Sequence, residues 1–148
     1  MKTFILLVCA VSVAQFVHAQ NPVTWNCTAK KTGDKAYEIH LTAAITKPWH
    51  VYSQATPDGG PVATAVAFCK NPLVVLDGSI KEIGKLIQKH EEVFGVDVKY
   101  YERTLDLVQV VRLKSKVKTT VSGSVNFMVC NDKECLPPKK VPFSVVLK

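Results

Sequence analysis

Apolar residues alternate with polar residues in several short runs of this chain, and this period of two is the strongest constraint on its fold. The alternating runs are Val23 to Ala29, Tyr37 to Ile45, Val121 to Val129 and Val141 to Leu147, while Leu105 to Leu113 is rich in leucine and valine. Successive side chains of a β-strand point to opposite faces, so alternation is typical of a half-buried strand. Many short strands predict an all-β fold, a two-sheet antiparallel β-sandwich.

Turn signals that combine glycine with Asp, Thr or Pro separate these runs, at residues 32–34, 57–61 and 77–78. One stretch, Ile80 to Phe94, has no clear period. Its isoleucines have helical spacing, but Gly84 disfavours a helix. We predict an irregular segment there.

Residues 1–19 have the pattern of a secretory signal peptide. Lys2 precedes an apolar stretch from Phe4 to Ala14, and Val17-His18-Ala19 forms a small-residue cleavage site. The apolar stretch is too short to cross a bilayer, and no later stretch is longer. We therefore predict a signal peptide at residues 1–19 and one extracytoplasmic domain, without a membrane span, at residues 20–148.

The distribution of charge along the chain argues against nucleic acid as a partner. The formal charge is +7, or +6 once Lys2 is removed, but the lysines are scattered among acidic residues. Nucleic-acid binding requires a clustered basic face with interleaved aromatic residues. We interpret the lysines as a solvated surface.

Four cysteines remain after the signal peptide, which contains Cys9, is removed. Disulfides persist in an oxidising, extracytoplasmic compartment. Cys27 lies among the apolar positions of its strand and is either a small core residue or half of a structural bridge. Cys69 is its candidate partner.

The other two cysteines lie in the segment FMVCNDKECLPPKKVPF, residues 127 to 143. Cys130 has the opposite parity to Phe127 and Val129, so its sulfur should not point into the main core. Cys135 follows a four-residue polar link and precedes Pro137-Pro138, which cannot donate hydrogen bonds to a neighbouring strand. The two sulfurs can meet across the mouth of a hairpin.

Spacing alone leaves three roles open for this pair. As a staple, the bridge contributes roughly 2 kcal/mol because the loop is short, against roughly 4 to 5 kcal/mol for a loop near a hundred residues. As an exchanging pair it needs a sulfur that a partner can reach and a thiolate whose formation does not cost too much free energy. A zinc site is the third role, but zinc needs a second, tight pair of ligands, and His40, His50 and His90 are isolated in the sequence.

Charges near the pair do not settle its thiolate chemistry. Lys133, Lys139 and Lys140 favour a thiolate, whereas Asp132 and Glu134 oppose it. The sign of any shift in the cysteine pKa stays open at this point.

Three segments carry a resemblance that favours exchange. FMVCNDKECLPPKKVPF, PWHVYSQATPDGGP and EEVFGVDVKYYE together resemble the periplasmic N-terminal domain of the thiol:disulfide interchange protein DsbD, in a stand-alone form. The resemblance spans nearly the whole mature chain, and the two-cysteine segment is its most specific part. It implies an immunoglobulin-like sandwich, no bound cofactor and no metal.

The resemblance also implies roles for individual residues. Cys130 and Cys135 are the redox pair, with Cys135 forming the mixed disulfide with a partner. His50 and Tyr52 occupy positions where the family places aromatic residues beside the cysteines, although His50 also fits a satisfied polar residue near the core.

A cap over the pair is implied as well. EEVF occupies the place of the family's acidic-aromatic capping loop, with Glu91 and Glu92 as the acids, which equally fit solvated surface charge. The best register puts Val93 at the position of the capping phenylalanine and Phe94 one residue later. Phe94 also fits a gap filler under a loop.

The leading hypothesis is therefore a thiol-disulfide exchange module, periplasmic or otherwise extracytoplasmic, that works only between partners. Its implied partners are a thioredoxin-like domain or membrane thiol reductase as donor and oxidised extracytoplasmic proteins as clients. The alternative is a secreted immunoglobulin-like binding domain with a purely structural disulfide. The redox potential of the bridge separates the two functions.

Overall fold

The structure, a computed structural model, describes residues 21–148, and the predicted signal peptide lies outside them. The described residues form ten β-strands. Their bounds are β1 Val23–Lys31, β2 Ala36–Ile45, β3 His50–Tyr52, β4 Ala65–Phe68, β5 Val74–Ile83, β6 Leu86–Glu91, β7 Val96–Glu102, β8 Thr104–Leu113, β9 Thr119–Cys130 and β10 Cys135–Leu147. In this part of the chain no helix is long and apolar enough to cross a membrane.

The strands form two antiparallel sheets. One has the order β1-β2-β8-β5, and the other has the order β10-β9-β3-β7-β6, with β4 also paired to β9. Two short strands, β3 and β4, therefore lie along one side of β9, with β3 at its carboxyl end and β4 nearer its middle. The all-β, two-sheet antiparallel sandwich predicted from the alternation is confirmed.

The main core lies between the two sheets and is built from the alternating residues of the predicted strands. Its fully buried members include Ile39, Leu105, Leu107, Val125 and Phe127. Each alternates along its strand with more exposed residues, so the burial of one face stabilises each sheet against the other.

The segment Ile80 to Phe94 is not irregular, and that prediction is wrong. It contains the end of β5, all of β6 and the start of the β6–β7 loop, and the chain passes from one sheet to the other between β5 and β6. A Cβ atom on Gly84, at this crossing, would lie 2.8 Å from the Thr104 carbonyl oxygen, so glycine is required there. The crossing interrupts the alternation and leaves the isoleucines at helix-like spacings.

The turn predicted at Asp77-Gly78 is instead an irregularity inside β5. The register of β5 against β8 shifts between Asp77 and Lys81, and Gly78 has a φ of +72°. The side chain of Gln109 donates to the carbonyl oxygens of Asp77 and Gly78, at 3.1 and 3.2 Å. A glycine in a strand often marks such a bulge.

A second, smaller hydrophobic cluster lies apart from the main core. It contains Tyr52, Val98 and Cys130, with Tyr100 and Met128 packed against it. All five have even numbers on β3, β7 and β9, whereas the core residues of β9 have odd numbers. The cluster therefore occupies the outer face of the larger sheet, and the prediction that Cys130 avoids the main core is confirmed.

The carboxylate of Glu82, on β5, joins the two sheets. It accepts hydrogen bonds from the Ser53 hydroxyl at 2.6 Å, the Gln54 backbone N–H at 2.7 Å and the Tyr101 hydroxyl at 3.0 Å. Burial, followed by the neighbouring Glu82, raises the pKa of Tyr101 to about 12. Glu82 thus holds the end of β3 and the loop that follows it.

We expect Glu82→Ala to lower the free energy of unfolding by about 3 kcal/mol, because hydrogen bonds to a charged acceptor contribute about 1.5 to 3 kcal/mol each and are not additive. Urea unfolding measures this change. The matched control is Asp34→Ala, which removes an exposed ion pair with Lys116 and should cost less than about 1 kcal/mol. A loss for Glu82→Ala no larger than that of the control would contradict the role assigned to the carboxylate.

Cys27 and Cys69 are not bridged to each other. Both are free thiols among the described residues, Cys27 partly buried against the main core and Cys69 exposed. Burial raises the pKa of the Cys27 thiol to about 11. Of the two interpretations of Cys27, the structure therefore favours a small residue packed against the main core over half of a structural bridge.

Candidate functional site

The hairpin of β9 and β10 brings the two predicted redox cysteines together. Cys130, the last residue of β9, lies directly opposite Cys135, the first residue of β10, and the two are joined by a disulfide with a Cα–Cα distance of 4.0 Å. The Asn131 carboxamide oxygen accepts from the backbone N–H groups of Lys133 and Glu134, at 2.8 and 2.9 Å. This side chain shapes the turn independently of the sulfurs.

The two cysteines differ sharply in exposure. Only 1% of the Cys130 surface is exposed, because it lies in the outer-face cluster, whereas Cys135 is exposed. An incoming thiolate therefore reaches the Cys135 sulfur more readily than the Cys130 sulfur.

Three rings surround Cys130 on the outer face. His50 lies opposite Cys130 across β3 and β9, and its Nε2 lies 3.1 Å from the Tyr52 hydroxyl. The imidazole also packs on the ring of Tyr100, with centroids 4.4 Å apart. The resemblance implied positions beside the cysteines for His50 and Tyr52. The structure places His50 opposite Cys130 and Tyr52 in the same cluster as Cys130.

Burial changes the acid–base properties of these rings. Desolvation lowers the pKa of His50 below its ordinary value of 6.5, and the carboxylates of Glu102, Asp132 and Glu91 oppose this shift. Desolvation also raises the pKa of Tyr52 to about 12. At neutral pH the imidazole and the phenol are therefore both uncharged.

The loop between β6 and β7 carries the predicted cap residues. The N–H groups of Phe94 and Gly95 both donate to the Glu91 carbonyl oxygen, and Gly95 adopts a left-handed φ of +66° that favours glycine. Val93 is 89% exposed and Phe94 is 36% exposed. Phe94 is therefore more buried than Val93.

A cavity of about 620 Å³ joins the loop to the cysteines. Both cysteines, the rings and the loop line it, together with charged residues from β6 and the hairpin. Its lining residues are His50, Tyr52, Lys89, Glu91, Val93, Phe94, Tyr100, Cys130, Asn131, Asp132, Lys133, Glu134 and Cys135.

The charges of this cavity differ from those that the sequence placed near the pair. Three carboxylates and two lysines line it, whereas the β10 residues Lys139 and Lys140 do not. Lys89 forms an ion pair with Glu91 at 3.1 Å, and this hydrogen bond and the charge of Glu91 raise the pKa of Lys89. Glu92 is exposed and does not line the cavity.

The sequence interpretation missed Tyr100 and Lys89. A signal for Tyr100 was present, because Tyr100 and Tyr101 are adjacent in a strand and must face opposite sides of the sheet. Tyr101 is buried in the main core, so Tyr100 must face outward. Lys89 had no such signal because its strand, β6, was itself not predicted.

Fold and site together define an immunoglobulin-like β-sandwich with a disulfide at a hairpin mouth, formed by one exposed and one buried cysteine. The chain belongs to the family described as the N-terminal part of thiol:disulfide interchange protein DsbD, whose model matches residues 19–147. No curated protein matches the sequence.

Solved structures with the same fold come from two bacteria. The N-terminal periplasmic domain of ScsB from Proteus mirabilis is 15% identical with a TM-score of 0.59, and the match covers 86% of this chain and 46% of that one. The reduced DsbD N-terminal domain of Neisseria meningitidis is 15% identical with a TM-score of 0.51, covering 80% and 82%. This chain thus spans less than half of the ScsB chain.

A third structure contains a complex. It is described as the complex between the DsbD N-terminal and the PilB N-terminal domains from Neisseria meningitidis, and the matched chain is 12% identical with a TM-score of 0.51, covering 88% of this chain and 87% of that one. At these identities the likeness shows the shared fold.

Proposed function

We propose that this protein is an extracytoplasmic thiol-disulfide exchange module that passes reducing equivalents through Cys130 and Cys135. The observation that carries the proposal is the asymmetry of the pair, with Cys135 exposed at a cavity mouth and Cys130 buried behind it. Membership of the DsbD N-terminal family supports this function.

The proposed exchange begins when a thiolate of the reduced donor attacks the Cys135 sulfur. The bond from Cys135 to Cys130 breaks, the electron pair leaves on the Cys130 sulfur, and a mixed disulfide joins the donor to Cys135. The second donor thiolate then attacks the donor sulfur of the mixed disulfide and releases Cys135. The donor leaves oxidised and the pair is left reduced.

Delivery to a client runs through the same sulfurs in the opposite direction. The Cys135 thiolate attacks the client disulfide and releases one client thiolate. Cys130 then attacks the Cys135 sulfur, which restores the bridge and releases the second client thiolate. One client disulfide is reduced for each bridge formed, and no cofactor is needed.

The proposed donor is a thioredoxin-like domain or a membrane thiol reductase, and the clients are oxidised extracytoplasmic proteins. The complex between the DsbD N-terminal and PilB N-terminal domains supports a protein partner. The predicted signal peptide supports the extracytoplasmic location, and so does the likeness to the ScsB domain, which is periplasmic.

We further propose that the β6–β7 loop caps the pair. Phe94 is the principal covering group and Val93 a minor one, with Glu91 held by Lys89 at the base of the loop. Glu92 contributes charge at the loop surface. His50 and Tyr52 line the same cavity and lie beside the buried cysteine.

A redox titration tests the function. We expect the Cys130–Cys135 bridge to have a potential above about −300 mV, because structural bridges of secreted proteins lie below that value. Equilibration with dithiol buffers, alkylation and peptide mapping measure it, and mapping separates the pair from Cys27 and Cys69. A potential well below about −300 mV would favour the secreted binding domain with a structural disulfide.

A further inference from the structure

His50 is placed where it can act on the buried sulfur. It is the residue of β3 directly opposite Cys130, and residues opposite each other in an antiparallel pair have Cβ atoms about 4.5 to 5.5 Å apart on the same face. Both side chains line the same cavity. Only 9% of the His50 surface is exposed, so the imidazole is part of the wall behind the disulfide.

The imidazole is held in place by its neighbours. Its Nε2 lies 3.1 Å from the Tyr52 hydroxyl, and its ring packs on Tyr100 from β7. The hydrogen bond made by one imidazole nitrogen determines which of the two nitrogens carries the proton. When Nε2–H donates to the Tyr52 oxygen, Nδ1 keeps its lone pair.

Charged and titratable groups face His50 from each strand packed against it. They are Glu102 and Tyr100 on β7, Lys89 and Glu91 on β6, Tyr52 on its own strand, and Cys130 with Asp132 on the hairpin. Burial outweighs the three carboxylates, so the pKa of His50 is lowered and the neutral imidazole predominates at pH 7.

Exchange with a client requires a step that Cys130 cannot readily perform alone. After Cys135 has attacked a client, Cys130 must lose its proton before it can attack the Cys135 sulfur, since the thiolate is the nucleophile. Cys130 lies in an apolar cluster with Tyr52 and Val98. Burial in such surroundings raises the free energy of a thiolate, so a nearby proton acceptor lowers the barrier.

We propose that His50 is the general base that takes the proton from the Cys130 thiol when this thiol resolves the mixed disulfide on Cys135. The proton moves from the Cys130 sulfur to Nδ1 of His50, the bond from Cys130 to Cys135 forms, and the bond from Cys135 to the client sulfur breaks. The electron pair leaves with the client thiolate, and the imidazolium returns its proton to that thiolate or to solvent.

This inference rests on the proposed function, and a reaction with two kinetic phases tests the role of His50 separately from the exchange function. The reduced protein, in a background with Cys27→Ala and Cys69→Ser, is mixed with dithio-bis-nitrobenzoate. The first phase releases one aromatic thiolate as Cys135 attacks the reagent, and the second releases another as Cys130 attacks Cys135. Because this thiolate leaves without a proton, the second phase reports on the loss of the proton from Cys130.

We expect His50→Gln to slow the second phase about a hundredfold at pH 7, within the range of general-base effects, and to leave the first phase unchanged. The matched control is His90→Gln, which alters an exposed histidine that pairs with Asp97 and should leave both phases unchanged. Because the pKa of His50 is lowered, the rate in the parent should already be level by about pH 6.5, whereas in His50→Gln it should rise about tenfold per pH unit.

Other outcomes have separate meanings. Equal second phases in His50→Gln and the parent would overturn the role of His50, and so would an equal slowing of both phases, which indicates a structural role. If His50→Gln does not fold, the pH dependence of the second-phase rate in the parent protein is the test. A rate that rises tenfold per pH unit from pH 5 to 8 overturns the proposal. If the parent shows no second phase at any pH, the exchange function itself is wrong.

Discussion

Cys130→Ser is expected to trap a thioredoxin-like partner through Cys135, and Cys135→Ser is expected to trap at least about tenfold less. The physical reason is access, since the rate of exchange depends on which sulfur a partner can reach. Cys135 is exposed on β10, whereas Cys130 is buried under the rings of the outer face. The trap is a thioredoxin whose single remaining cysteine carries an aromatic thiol leaving group, and non-reducing electrophoresis measures the product.

The free thiol of Cys69 must be removed in both variants. Cys69 is exposed and would form its own mixed disulfide with the activated trap. Both variants therefore carry Cys69→Ser, and a protein with Cys69→Ser, Cys130→Ser and Cys135→Ser measures the background. Equal trapping by the Cys130→Ser and Cys135→Ser variants would show that the assigned roles of Cys130 and Cys135 do not apply.

Phe94→Ala is expected to speed reduction of the Cys130–Cys135 bridge by a small thiol, by up to about tenfold, while its equilibrium potential changes little. If the Phe94 side chain stabilises the closed loop by about 1.4 kcal/mol, its removal raises the population of the open loop about tenfold. Phe94 lines the cavity of the pair, and Gly95 beside it already has the backbone conformation that glycine favours. Stopped-flow reduction of the oxidised protein measures the rate.

Val93→Ala is the matched control for the cap, because it lies in the same turn but is 89% exposed. It should change the rate less than Phe94→Ala does. Global stability must be measured too, because truncating a fully buried phenylalanine costs about 3 to 5 kcal/mol, although Phe94 is 36% exposed and should cost less. A folded Phe94→Ala with the parental rate would remove Phe94 as the cap, and an acceleration confined to Val93→Ala would assign the cap to Val93.

The sandwich could be predicted because most of its strands bury only one face. Residues of β2 such as Ile39 and Leu41 alternate with more exposed neighbours, and this alternation is visible in the sequence. The same parity placed Cys130 outside the main core, where the structure has it. It did not show that this outer face carries an apolar cluster of its own, because that cluster joins residues from three strands distant in sequence.

The predictions failed where the chain departs from regular strand geometry. The crossing at Gly84 moves the chain between sheets, so the alternation of β5 does not continue into β6. The bulge near Gly78 resembles a turn in sequence because both use glycine at a positive φ. A bulge can be told from a turn only when the partner strand, β8, is known. The Gln109 side chain of β8 donates hydrogen bonds to the carbonyl oxygens of Asp77 and Gly78 and so holds the bulge in the sheet.

The site could be predicted only in part. Its cysteines stand out by spacing, and His50 and Tyr52 were found through the resemblance to a family. Tyr100 packs on His50 only because β3 and β7 are neighbours, a pairing between segments about fifty residues apart that no local pattern reveals. The exposure that separates Cys135 from Cys130 likewise depends on the pairing of β3 with the carboxyl end of β9.

The long pairing of β9 with β10 has a kinetic consequence. Its register runs from Cys130 and Cys135 to Thr119 and Leu147, and the Asn131 side chain closes the turn, so neither depends on the sulfur–sulfur bond. The two cysteines therefore stay opposite each other when the bond is broken. Attack of one on the other is then intramolecular, and well-oriented groups of this kind reach effective molarities of about 10⁵ M or more. Mixed disulfides between Cys135 and a client should accordingly be short-lived, so that the client is released in reduced form soon after Cys135 has attacked it.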